Sequence, residues 1–139
     1  MERLCPANTE KAIQVIQAWH NLNAVRGSLD IYGDEGDLGQ VRQLQALHGT
    51  GILLYADGKP CGVAAGYPLT DDAYDISLGK LSYEDAALGY YLRRAWMETL
   101  PDAVRLVNIE DDLDIEGLRV MKHNMRPVAM NDMWMAKRR

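Results

Sequence analysis

Asn108-Ile109-Glu110-Asp111-Asp112-Leu113-Asp114-Ile115-Glu116-Gly117-Leu118-Arg119-Val120-Met121-Lys122-His123-Asn124-Met125-Arg126-Pro127 reads as the end of a strand, an acidic turn, a capped helix and a stop. Asp112 or Asp114 can cap the helix, because a side-chain oxygen there accepts from an orphan N–H. Glu116 suits the positive end of the helix dipole, and Lys122, His123 and Arg126 suit the negative end. Ile115, Leu118, Met121 and Met125 fall on one stripe, and Pro127 ends the helix. A strand over Val104–Ile109 is expected before this segment. A last strand over Val128–Ala136 is expected after it, then the basic tail Lys137-Arg138-Arg139.

Upstream, the hydrophobic period switches once. Asn8 or Thr9 can open a first helix in which Ala12, Ile13, Ile16 and Trp19 recur at helical spacing. Arg26 to Gly36 is loop-like. A second helix is expected from about Asp37 to His48, with Val41, Leu44 and Leu47 on one face and Gly49 and Gly51 at its end. Ile52–Ala56, Cys61–Tyr67 and Tyr74–Leu78 then read as a three-strand antiparallel meander. Asp57-Gly58 forms the first turn, where both central residues need positive φ. A helix over about Asp85–Leu100 follows, with Ala87, Tyr91, Ala95 and Trp96 as its buried face, and Pro101-Asp102 breaks it. The predicted order is α-α-β-β-β-α-β-α-β, a mixed α/β chain.

Composition narrows the function classes. The 139 residues fit one domain over 1–139. Apolar content of 47% and charged content of 25% are ordinary for a globular protein. A net charge of −5 disfavours broad nucleic-acid binding, so no DNA partner is expected. Cys5 and Cys61 make no disulfide framework and suit a reducing, cytoplasmic setting. No apolar run reaches membrane-spanning length.

Most motif templates fail. There is no P-loop, no G-x-G-x-x-G after a strand and no G-x-S-x-G elbow. Asp112-x-Asp114-x-Glu116-Gly117 imitates the start of a calcium loop. However, His123 stands at the twelfth position, which must supply a bidentate carboxylate, so no metal is expected. His20, His48 and His123 lack ligand-spaced partners and read as helix-end residues. Lys80, after Gly79 at the end of the third meander strand, has two readings: a cation that holds an anionic group, or an exposed strand-end lysine.

The element order resembles that of the Gcn5-related N-acetyltransferases (GNAT), the acyl-CoA N-acyltransferase fold, with its first strand missing or reduced to Glu2–Cys5. Within that fold, the chain resembles the phosphatidylglycerol lysyltransferase C-terminal family of bacterial proteins. The family's late signature runs roughly N-R-E-D-D-L-G-I-x-G-L-R-x-x-K-x-x-Y-x-P. Asn108, Glu110, Asp111, Asp112, Leu113, Gly117, Leu118, Arg119, Lys122 and Pro127 stand in register with it. Ile109, Asp114 and Met125 depart from its arginine, glycine and tyrosine. Gly51–Pro68, Lys80, Gly89-Tyr90-Tyr91 and Trp19 resemble the family's meander, strand-end lysine, helix start and first-helix tryptophan.

The resemblance implies acyl or aminoacyl transfer with acetyl-CoA or aminoacyl-tRNA as donor. It also implies a longer architecture that pairs two such domains, or a homo-oligomer. Glu110 and Asp111 are then candidates to orient a nucleophile or act as base. Lys80, Asn108, Lys122 and Arg126 are candidates to hold substrate. Tyr83 and Gly89, at the start of the central helix, are candidates for the donor. Acetyl-CoA users of this fold place a glycine-rich loop at that helix start, where backbone N–H groups hold the pyrophosphate. Here Glu84 and Asp85 oppose it. An acetyl-CoA-dependent N-acetyltransferase and a non-catalytic binding module of the same fold are the alternatives.

Overall fold

The computed structural model describes residues 1–25, 33–83 and 85–132, and it divides into two units, Met1–Asn108 and Ile109–Arg139. The first unit carries a five-stranded sheet in the order β1 (Glu2–Arg3), β2 (Thr50–Ala56), β3 (Lys59–Pro68), β4 (Ala73–Leu81), β5 (Leu106–Asn108). The strands are antiparallel except for β4 and β5, which run parallel. A parallel pair needs a crossover, and α3 (Ala86–Met97) lies in it. Helices α1 (Thr9–Val25) and α2 (Gly33–Gln43) precede β2. The β2–β3 turn forms as expected, with Asp57 and Gly58 both at positive φ. The first strand is present, reduced to two residues and tied back where Leu4 N donates to the Gly51 carbonyl.

Strand alternation sends side chains to two faces. Leu53, Val63, Ala65 and Leu78 meet Ala12, Val15 and Ile16 of α1 and Val41 and Leu44 at the end of α2. The other face receives α3 through Leu92, Ala95 and Trp96, which are buried. Small residues in the sheet let α3 come close. A side chain at Gly66 would overlap the Asp75 carbonyl and the Trp96 ring, and one at Gly62 would press on Leu81, Leu54 and Leu92. Trp96 also donates its indole N–H to the Thr50 carbonyl at 3.0 Å, which fixes α3 over β2.

Several expected boundaries shift. α2 begins at Gly33 and ends at Gln43, not Asp37 to His48. The chain turns left-handed at His48 (φ 52), and Gly49 N bonds back to the Leu44 carbonyl, so Leu47 ends half-exposed. On α3, Ala95 and Trp96 are buried as expected, but Ala87 and Tyr91 are exposed and Leu92 is buried instead. β5 holds only Leu106–Asn108, paired with Ala73–Asp75.

The second unit contains α4 (Glu116–Asn124). Its N-cap is Ile115, without a side-chain cap bond, and this corrects the expected Asp112 or Asp114 cap. The acidic side chains are used earlier in the turn. Asp111 Oδ1 accepts from Leu113 N at 3.2 Å and Asp112 Oδ1 from Asp114 N at 3.0 Å, while Glu110, Leu113 and Asp114 take positive φ. Residues 128–132 form no strand; the rest of the last expected strand and the basic tail lie outside the described residues. No helix among the described residues is long and apolar enough to cross a membrane.

Candidate functional site

Lys80 follows Leu78 by two positions on β4, so it shares the face that packs on α1 and α2. The same stripe on each helix carries polar residues beside Lys80. His20 lies one turn beyond Ile16 on α1, and Asp37 lies one turn before Val41 on α2. The three side chains meet. Lys80 Nζ is 3.0 Å from Asp37 Oδ2, and His20 Nε2 is 3.0 Å from the same oxygen. A carboxylate only accepts, so His20 donates through Nε2. Lys80 Nζ also lies 3.7 Å from the centre of the Trp19 ring, which stands edge-on to His20 at 4.9 Å. His20 and Asp37 are buried, and the Lys80 side chain is 16% exposed. Lys80 is therefore not an exposed strand-end lysine, and its charge meets the Asp37 carboxylate.

A second feature lies along β4. β5 stops at Asn108, opposite Asp75. Among the described residues, no strand pairs with Ile76–Leu81 on that side. α3 begins just beyond β4, with Asp85 as its cap and the Asp85 carboxylate accepting from Leu88 N at 3.1 Å. Arg93 reaches back along the helix, and its Nη1 donates to the Gly89 carbonyl at 3.2 Å. A methyl group at Gly79 would lie 3.2 Å from Arg93 Nη2, so the guanidinium covers that part of β4. Burial pushes the Arg93 pKa down, with Tyr90 acting the other way. A desolvated guanidinium favours an anionic neighbour. Tyr83 is half-exposed, Gly89 sits inside the first turns of α3, and Glu84 lies outside the described residues.

The remaining candidates from the sequence each have their own surroundings. Asn108 donates to Asp75 Oδ1 at 2.6 Å, across the β4–β5 pair. Glu110, Asp111, Lys122 and Arg126 belong to the second unit. There Lys122 is buried and donates to the Ile109 carbonyl, whereas Glu110, Asp111 and Arg126 are exposed. Arg119 binds Asp112 Oδ2 at 2.6 Å and Asp114 Oδ1 at 3.0 Å. The Arg119 guanidinium and the Asp114 backbone N–H hold the Asp112 carboxyl below its ordinary range.

His20, Asp37 and Arg93 were not picked out as site residues from the sequence. For His20 and Asp37 a signal exists: each is a polar residue at a core phase of its helix, where burial demands a partner. Arg93 gives none, since its burial depends on the absence of a side chain at Gly79.

No family model matches the sequence, and no curated protein matches it. Solved structures do. A conserved protein of unknown function from Bacteroides thetaiotaomicron superposes with TM-score 0.82 at 22% identity, over 92% of this chain and 44% of that one. The chain therefore spans less than half of that protein. An aminoglycoside acetyltransferase from an uncultured soil metagenomic sample, solved with sisomicin, gives TM-score 0.69 at 15% identity over 99% and 93% of the two chains. An aminoglycoside N-acetyltransferase solved with coenzyme A gives 0.65 at 14% identity over 99% and 92%. At these identities the likeness speaks for architecture, and with the sheet order above it establishes that the chain has the GNAT acyl-CoA N-acyltransferase fold.

Proposed function

We propose that this chain is an acyltransferase that moves an acyl group from a thioester such as acetyl-CoA to an amine. The observation that carries the reading is the β4 edge from Ile76 to Leu81, which has no strand partner among the described residues and leads into the start of α3. Such an edge presents backbone N–H and C=O groups to an extended ligand that carries amides of its own. Arg93, desolvated over Gly79, supplies the positive charge that the acidic helix start withholds. Tyr83 and Gly89 flank the same start. The thioester supplies an activated acyl carbon. The acceptor nitrogen bonds to that carbon as the carbon–sulfur bond breaks, the nitrogen loses a proton to a base, and the departing thiolate gains one. The chain's share of this is to orient both partners and exclude water.

Calorimetric titration with acetyl-CoA and coenzyme A tests the reading. Saturable binding is expected, weakened about tenfold or more in Arg93→Gln through loss of a charge-assisted contact. Absence of binding at millimolar donor overturns it.

A specific pair of observations favours a second reading, an aminoacyl transferase like the phosphatidylglycerol lysyltransferase C-terminal domain. The chain matches less than half of the Bacteroides protein, and Asp112 and Arg119, both in register with that family's signature, pair with each other. Glu110 and Asp111 as base, and Asn108, Lys122 and Arg126 as substrate contacts, belong to this reading. It predicts aminoacyl-tRNA binding that weakens steeply with salt.

A further inference from the structure

We propose that Trp19 and Asp37 form a subsite for an alkylammonium group, that Lys80 is its internal occupant, and that an amine ligand enters by taking the place of the Lys80 ammonium. The proposal deepens the acyl-transfer reading and rests on it for the identity of the ligand as acceptor.

The geometry around Lys80 Nζ is that of a recognised cation. A carboxylate oxygen lies at 3.0 Å and an indole face at 3.7 Å. These are the two group types that bind alkylammonium ions best: one by charge, the other through the negative face of its ring. If the lysine is set aside, the surroundings that remain are an aromatic wall, one carboxylate and a histidine donating to that carboxylate. The Asp37 carboxylate disfavours an anion in that place. It attracts cations.

The position suits exchange. Asp37 is buried, but Lys80 retains 16% exposure and Trp19 is half-buried, so the pocket opens at its lysine end. Lys80 is anchored only at its backbone, near the end of β4, by a flexible four-carbon stem. The ammonium can swing to water while the carboxylate, carried on α2 and held by His20, stays in place.

A buried ion pair is weak as a source of stability, because desolvation cancels most of the attraction. A Lys–Asp pair against an indole, reached by solvent at one end, is better explained as a binding device whose resident cation excludes water and weak competitors. The device also selects. A ligand must outcompete a tethered ammonium, so a monoamine saturates the site only at high concentration and a ligand with additional contacts does so at lower concentration.

The test uses the full chain and n-butylamine as probe, followed by nuclear magnetic resonance of the Trp19 indole N–H and the Lys80 ε-methylene. In the native protein, saturating n-butylamine is expected to shift both signals together, as Lys80 leaves the ring. In Lys80→Met, which keeps the stem's bulk, n-butylamine is expected to bind about tenfold more tightly. Adding Asp37→Asn to that variant is expected to abolish the gain. Unchanged or weaker amine binding in a folded Lys80→Met, or a native Lys80 signal that does not respond to amine, overturns the proposal. The native measurement decides the matter if the variant does not fold. The two readings fail separately. Amine binding without acetyl-CoA binding removes the transferase and leaves the subsite, and acetyl-CoA binding without any amine response removes the subsite alone.

Discussion

Gly66 and Gly39 show how differently one residue type can matter. Gly66 lies where the β3–β4 register shifts, with the Asp75 carbonyl and the Trp96 ring in the space a Cβ needs. Gly66→Ala must move backbone or a buried indole, and is expected to cost about 3 kcal/mol, at the upper end of overpacking effects. Gly39 lies inside α2, and a Cβ there would meet nothing within 4 Å. Gly39→Ala is expected to stabilise by about 0.5–1 kcal/mol through helix propensity. Urea denaturation of both variants, with the slope unchanged, reads the two signs.

Asp112 carries a pH signature at the same scale. Arg119 and the Asp114 N–H lower its folded pKa below the unfolded value of about 3.9. Stabilisation from this group is therefore complete above about pH 4 and lost as pH falls through the lower folded value. A carboxyl ¹³C titration should place the Asp112 midpoint below those of exposed aspartates, and Arg119→Gln should raise it toward their range, with the Asp114 N–H still holding it down in part.

At the scale of elements, the helices and the meander follow from local rules, and the departures come from packing. The Asp57-Gly58 turn forms because both residues take positive φ at low cost. α1 buries Ala12, Ile13 and Ile16 as their spacing demands, together with Val15. α2 begins earlier than propensity suggests, through a glycine-rich stretch that disfavours helix. Inside that helix Asp37 bonds to Lys80 and His20, and these tertiary contacts offset the weak propensity. α3 buries Ala95 and Trp96 as expected but misses by one residue a turn earlier, where about 100° of rotation separates the expected Tyr91 from the observed Leu92. Leu92 is the side chain that faces Gly62 of β3. In the acidic turn before α4, Asp111 and Asp112 accept from the N–H groups two residues on, and Asp114 accepts from Arg119, so neither expected aspartate caps the helix.

At the scale of the whole molecule, the two units differ in what they bury. Met1–Asn108 holds every buried hydrophobic side chain among the described residues, whereas in Ile109–Arg139 the one buried described residue is Lys122. Stability follows buried apolar surface. Native-state hydrogen exchange is therefore expected to show β2, β3 and β4 amides opening only with global unfolding. The α4 amides should open locally, at clearly lower free energy. Equal protection of α4 and β3 would show instead that the chain unfolds as one unit.

The sequence by itself determined the order of elements from α1 to α4, the hairpin turn, the apolar stripes of α1 and most of α2, and therefore the fold. These depend on period, turn chemistry and caps, all of which act over a few residues. It also marked Lys80 as a residue of interest. It did not show what Lys80 does, because Trp19, His20, Asp37 and Lys80 are distributed along three elements and only packing brings Asp37 to His20 and Lys80, and Lys80 to Trp19. Tertiary structure alone decided that Asn108 pairs with Asp75, that Lys122 is buried and that Arg93 is desolvated over Gly79. Each of these outcomes depends on which side chain is absent or present across a contact distant in sequence, and local patterning carries no information about that.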